Sequence, residues 1–141
     1  MTTIVYNNQS LVLRPELTLV MGLANSGKST FIEILRDQLP ADQITRDGEW
    51  ARDRVRTYTL MDEPTSLDMT DGQVWRIRQK IIDNIRPACY TIIATHSVAD
   101  IMMAPRVIYL ENHRIVLDES GWDFLWNQQA RNYLQNRTDF H

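Results

Sequence analysis

Cysteine is almost absent. Cys89 is the single one in 141 residues, so an internal disulfide is excluded, and a lone thiol suits a reducing compartment. Long hydrophobic runs are also missing. Leu17 to Ala24 is among the longest, and Thr18 and Gly22 interrupt it, well short of the roughly 18–20 apolar residues that span a bilayer. The opening Met-Thr-Thr-Ile-Val-Tyr lacks the basic region of a secretory signal. No membrane insertion is expected, and a cytoplasmic location is. Lysine is scarce: only Lys28 and Lys80 occur among 15 basic residues, the other 13 being arginine. With 18 acidic residues and a net charge of −3, the chain lacks the broad basic footprint of a nucleic-acid binder. Repeats, low-complexity tracts and interdomain linkers are lacking too. The 43% apolar and 23% charged content is that of a globular chain and excludes disorder. The length suits one domain, residues 1–141.

What is present is an alternation of strand and helix patterns, which predicts an α/β fold with a mainly parallel sheet. Leu11 to Leu13 reads as a short strand, and Pro15 turns the chain. Leu17 to Met21 is mostly apolar, as a buried parallel strand is. Phe31, Ile34, Leu35 and Leu39 recur at helical spacing until Pro40. Thr57 to Met61 and Tyr90 to Ala94 are two further strands. Between them Thr70-Asp71-Gly72-Gln73 has the form of a capping box, opening a helix with Val74, Ile77, Ile81 and Ile85 on one face and Pro87 beyond it. A short helix is expected from about Val98 to Met103, stopped by Pro105. Val107–Leu110 and Ile115–Leu117 flank a hairpin turn. Trp122, Trp126 and Tyr133 fall on one helical stripe, which reads as packing against the sheet.

Gly22-Leu23-Ala24-Asn25-Ser26-Gly27-Lys28-Ser29 fits G-x-x-x-x-G-K-(S/T) in full, between an apolar run and an amphipathic helix. Glycines let such a loop turn its backbone N–H groups toward phosphate oxygens, and the helix behind adds its positive N-terminus. Gly22, Asn25, Ser26 and Gly27 form the cradle; Lys28 reaches the β- and γ-phosphates, Ser29 ligates Mg²⁺, and Thr30 touches the α-phosphate. Tyr58-Thr59-Leu60-Met61-Asp62-Glu63 is an apolar strand ending in two carboxylates. In P-loop folds this strand is expected beside the one that precedes the loop, with Asp62 holding the Mg²⁺ shell. Glu63 then orients or deprotonates an attacking water. The expected ligands are ATP and Mg²⁺.

Asp62-Glu63-Pro64-Thr65-Ser66-Leu67-Asp68 resembles the Walker B and D-loop of ATP-binding cassette (ABC) ATPases. Ile92-Ile93-Ala94-Thr95-His96, followed by Ser97 and Asp100, is similar to the strand that carries their switch histidine. The likeness runs from about Ser10 to Leu117. It implies a P-loop NTPase with three layers, a mainly parallel central sheet, and a C-terminal hairpin and helix. It implies that His96 contacts the γ-phosphate, making Glu63 and His96 the catalytic pair. Tyr6 corresponds either to the family's adenine-stacking aromatic or to an ordinary strand residue, its separation from Lys28 being shorter than usual.

The chain departs from that family between Lys28 and Asp62, only 34 positions apart. In full ABC ATPases this interval holds the Q-loop, a helical subdomain and the LSGGQ signature, and none is intact here. Gln43 to Gly48 resembles a short strand and turn instead, and Asp47-Gly48-Glu49-Trp50 reads as a β-turn. Arg46, Arg52, Arg54 and Arg56 in this segment read as one solvated face, the alternative being contact with phosphate or with a partner's acidic surface. In the family each Walker A meets the signature of a partner domain, so a chain without a signature holds half of each composite site. The implied function is a soluble, non-transporter ABC-type ATPase with slow hydrolysis. Its partner is another copy, as a homodimer, or a separate ABC-type ATPase. The alternative is an interaction protein that pairs with or mimics half of a larger ABC-type dimer.

Overall fold

The structure, a computed structural model, describes residues 1–46, 56–64, 68–83, 85–96 and 101–136. An antiparallel pair, β1 (Thr2–Tyr6) and β2 (Gln9–Leu13), precedes β3 (Leu17–Met21) and α1 (Lys28–Gln38). There follow β4 (Tyr58–Asp62), α2 (Asp71–Asp83), β5 (Tyr90–Ala94), β6 (Arg106–Glu111), β7 (Arg114–Glu119), α3 (Gly121–Trp126) and α4 (Gln128–Asn136). The main sheet has the order β4-β5-β3-β6-β7, parallel except for the β6–β7 hairpin. The expected α/β architecture with a mainly parallel sheet is therefore present.

Strand composition explains the layering. Successive strand residues point to opposite faces, and β3, β4 and β5 are apolar on both, as parallel strands covered on two sides must be. Val20, Leu60, Ile92 and Ile108 pack with Phe31, Ile32 and Leu35 of α1 and with Ile4, Tyr6 and Leu13 of the β1–β2 pair. Leu19, Met21, Met61, Ile93 and Val107 face the opposite way, onto Ile81 of α2, Phe124 of α3 and Tyr133 of α4. Sheet and two covering layers make the three-layer arrangement.

Local signals account for the helix ends. The Thr70 hydroxyl accepts from the Gln73 N–H (3.2 Å), and the Gln73 amide oxygen accepts from the Thr70 N–H (2.9 Å), completing the capping box. The helix ends at Asp83, before Ile85, the last residue of its expected apolar face. Ala41–Gln43 forms a 3-10 turn, and Ile44 makes a single parallel bridge to Tyr58 in place of a full strand. Arg56 donates to the carbonyl of Asp42, while Arg52, Arg54 and residues 47–50 lie outside the described residues. So does the first half of the expected 98–103 helix, whose second half is the 3-10 turn Ile101–Met103. Among the described residues no helix is long and apolar enough to cross a membrane.

Two expectations are corrected. The strand ending in Asp62 does not lie beside β3, because β5 sits between them. Sheet order is decided by how β3, β4 and β5 pair across the molecule, which the local pattern of each strand does not encode. Nor do Trp122, Trp126 and Tyr133 share a stripe. The Asn127 side chain accepts from the N–H groups of Gln129 (2.9 Å) and Ala130 (3.3 Å), which ends α3, starts α4 and resets the helical phase. Tyr133 and Phe124 turn inward, whereas Trp122 and Trp126 stay 53% and 62% exposed, their rings 5.9 Å apart and Arg131 over Trp126.

An ion pair with a buried guanidinium ties the β1–β2 pair to the sheet. Arg106 donates twice to the Asp118 carboxylate, at 2.7 and 2.6 Å, and once to the Val12 carbonyl. Asp118→Ala leaves this buried guanidinium with a single acceptor. The expected loss is about 2–3 kcal/mol, below that for a fully buried pair because Asp118 is half exposed. It is read as a lower urea midpoint at unchanged slope.

Candidate functional site

The parallel strands β3, β4 and β5 deliver their C-terminal ends to one edge of the sheet, where open α/β sheets bind ligands. Residues 22–27 connect β3 to α1 there. Two glycines in this loop are obligatory. A Cβ on Gly22 would lie 2.3 Å from the Ser26 hydroxyl and 2.7 Å from the Leu110 carbonyl. One on Gly27, at φ 109°, would lie 2.5 Å from the Tyr6 hydroxyl and 2.8 Å from His113 Nδ1. Gly27→Ala is therefore expected to lower the melting temperature by about 5 °C or more, through left-handed strain and displacement of Tyr6. Thermal unfolding of the purified variant checks this.

The loop offers unfilled hydrogen-bonding capacity. Ser26 Oγ is buried and has no hydrogen-bond partner among the described residues. No side chain caps the start of α1, so its first N–H groups and positive dipole end face the loop. Ser29 and Thr30 are exposed on that first turn, and Asn25 is held at φ 66°. Such an arrangement can accept an anion, and its donors fit a phosphate chain. Beside it, a cavity of about 240 Å³ opens between Leu23–Ser26 and Glu111–Asn112.

Lys28 is 7% exposed. Its ammonium donates to the Gly22 carbonyl at 2.8 Å and pairs with Glu63 Oε1 at 3.3 Å. Glu63 follows β4 at φ 47°, its N–H donating to the Ala94 carbonyl at 2.6 Å. Asp62, the last residue of β4, is exposed beside it. His96 is buried two residues beyond β5, where the Thr95 N–H donates to Val20. Because β5 lies between β3 and β4, His96 follows the strand that separates the loop from the two carboxylates. Of the residues singled out by sequence, 22–30, 62, 63 and 96 thus gather at one sheet edge. Thr65, Ser66, Leu67, Ser97 and Asp100 lie outside the described residues.

Tyr6 does not join them as a stacking platform. Its ring is fully buried, edge-on to Phe31 at 5.0 Å, and burial pushes its phenol pKa up. No ring face is open to a base, and the strand-packing alternative holds. Sequence reasoning missed the residues that buttress the loop from behind. The His113 N–H donates to the Ser26 carbonyl (2.8 Å), and the Asn7 side chain donates to the His113 carbonyl (2.7 Å). Both belong to tight turns with positive φ; Asn at such positions signals a turn, but nothing local signals which loop the turn supports.

Solved structures resemble this arrangement from end to end. MJ1267, an ATP-binding cassette of an ABC transporter in its ADP conformation, superposes with a TM-score of 0.69 at 10% identity, over 96% of each chain. The chain has the ATP-binding-cassette fold. CbiO1 from Clostridium perfringens, part of the ABC transporter complex cbiONQ, matches this cassette fold with a TM-score of 0.65 at 12% identity, over 96% of this chain and 92% of its own. The cassette MJ0796, in a dimeric post-hydrolysis state bound to ADP and phosphate, gives 0.60 at 15% identity, over 80% and 89%. No protein-family model and no curated protein sequence matches the chain. The cassette likeness is one of fold.

Proposed function

We propose that this chain binds Mg–ATP at residues 22–30 and hydrolyses it slowly, as a soluble, non-transporter ATPase whose site a partner completes. The observation that carries this is the position of Lys28: one buried ammonium faces both the phosphate loop and the acidic end of β4. A cation so placed would neutralise the β- and γ-phosphates, with Ser26 and the start of α1 donating to the remaining oxygens. Asp62 and Ser29 would hold Mg²⁺, one carboxylate and one hydroxyl beside phosphate oxygens and water being the usual share of protein ligands for this ion. When bound, Mg²⁺ neutralises charge that develops on the phosphate oxygens. Glu63, exposed on the open side, takes the proton of the attacking water, and His96 donates to the γ-phosphate.

Slow turnover follows from the short interval between Lys28 and Asp62. It leaves no room for a signature-bearing helical subdomain, and with it goes the coupling to a transporter that the family resemblance implies. An isolated site leaves the γ-phosphate open on one side. A charge supplied in trans is worth about 10³–10⁵ in rate in other P-loop enzymes. The partner is a second copy or a separate ABC-type ATPase. Turnover per molecule should rise with protein concentration while light scattering reports a growing mass in ATP. Constant turnover on dilution to nanomolar concentration, with a monomeric mass throughout, would defeat the partner requirement.

A further inference from the structure

The Lys28–Glu63 pair has a second consequence, which rests on the reading of residues 22–30 as a phosphate site. A buried ammonium must be neutralised or fully hydrogen-bonded. Here the Gly22 carbonyl and the Glu63 carboxylate do this. Glu63 is aimed at the loop by its own backbone. It sits at φ 47°, a left-handed conformation that a glutamate adopts only under constraint, and its N–H is tied to Ala94. The ammonium that would meet a phosphate is thus already engaged by an anion of the same protein.

We propose that Glu63 is a stand-in anion. It holds Lys28 while the site is empty and is exchanged for the polyphosphate of a nucleoside di- or triphosphate. Two properties follow. A ligand must bring enough negative charge to displace a carboxylate, which favours polyphosphates over single phosphates. The same exchange releases the Glu63 carboxylate, so the base becomes available only when nucleotide is in place.

Two measurements on the full chain test this. The first needs no ligand. Thermal unfolding is followed for Glu63→Gln, Lys28→Met and the double variant; methionine keeps the apolar stem of the lysine. Glu63→Gln is expected to lower the melting temperature by about 2–4 °C alone and to have no effect in the Lys28→Met background, since residues in contact are not additive. The second is calorimetric titration with Mg–ADP, which has no γ-phosphate to be repelled by Glu63. Glu63→Gln should bind about three- to tenfold tighter than wild type, the Glu63 side chain being half exposed. Glu111→Gln, at a carboxylate beside the loop that is bonded to Tyr109 instead, should leave affinity unchanged. Additive melting shifts, no tightening in Glu63→Gln, or equal tightening in Glu111→Gln would each overturn the proposal. Thermal coupling without Mg–ADP binding by any variant would identify the phosphate-site reading as the part that failed, and the exchange would fall with it.

Discussion

Lys28→Ala is expected to abolish the rise in melting temperature that Mg–ATP confers on the wild type. At a ligand concentration about 100 times Kd, mass action stabilises a native-state binder by about 2.7 kcal/mol, or about 8 °C for a domain of this size. The variant should show less than 1 °C. Three features make the loss complete. The ammonium is buried between the loop and Glu63, so water does not replace it. The other lysine, Lys80, lies on α2. Truncation also leaves the Glu63 carboxylate facing the loop with no cation between, so an incoming phosphate meets uncompensated negative charge. A shift retained at half its wild-type size would place the phosphates elsewhere.

The second large effect is on chemistry. Glu63→Gln should lower turnover by about 10²–10⁴-fold, the range over which a positioned general base acts, while nucleotide binding is not weakened. The amide retains the shape of the side chain and its place after β4, but it cannot take a proton from water. Single-turnover measurements with excess protein separate this loss from any change in affinity. Wild-type turnover in the variant would move the base to another group. Weakened binding with turnover falling only in proportion would make Glu63 a ligand contact and not a base.

Much of this site was legible before the fold was known, for a physical reason. A phosphate loop is local: glycine at two positions, the lysine after the second, an apolar strand before and an amphipathic helix after all lie within residues 17–39. β3 and β5 were legible for the same reason, since strands covered on both faces are nearly continuous apolar runs with sharp ends. What was not legible depends on distant partners. The insertion of β5 between β3 and β4 is decided by pairing across the sheet, so Asp62 was expected one strand too near the loop. Tyr6 precedes the loop in the region expected of a stacking aromatic, though closer to Lys28 than usual, and the packing of β1 over Phe31 shows that its ring is spent on the core. The Asn127 side chain breaks a run that reads as one helix, and with it the apparent stripe of Trp122, Trp126 and Tyr133. The buttress from Asn7 through His113 to Ser26 joins residues more than 80 positions apart.

The claim on which the rest depends is that residues 22–30 hold the phosphates of a nucleotide. Calorimetric titration of the wild-type chain with a non-hydrolysable ATP analogue and Mg²⁺ tests it directly. The account predicts a one-site isotherm with Kd below about 1 mM, lost in Lys28→Ala. No heat of binding up to that concentration, or an isotherm unchanged in Lys28→Ala, would contradict it.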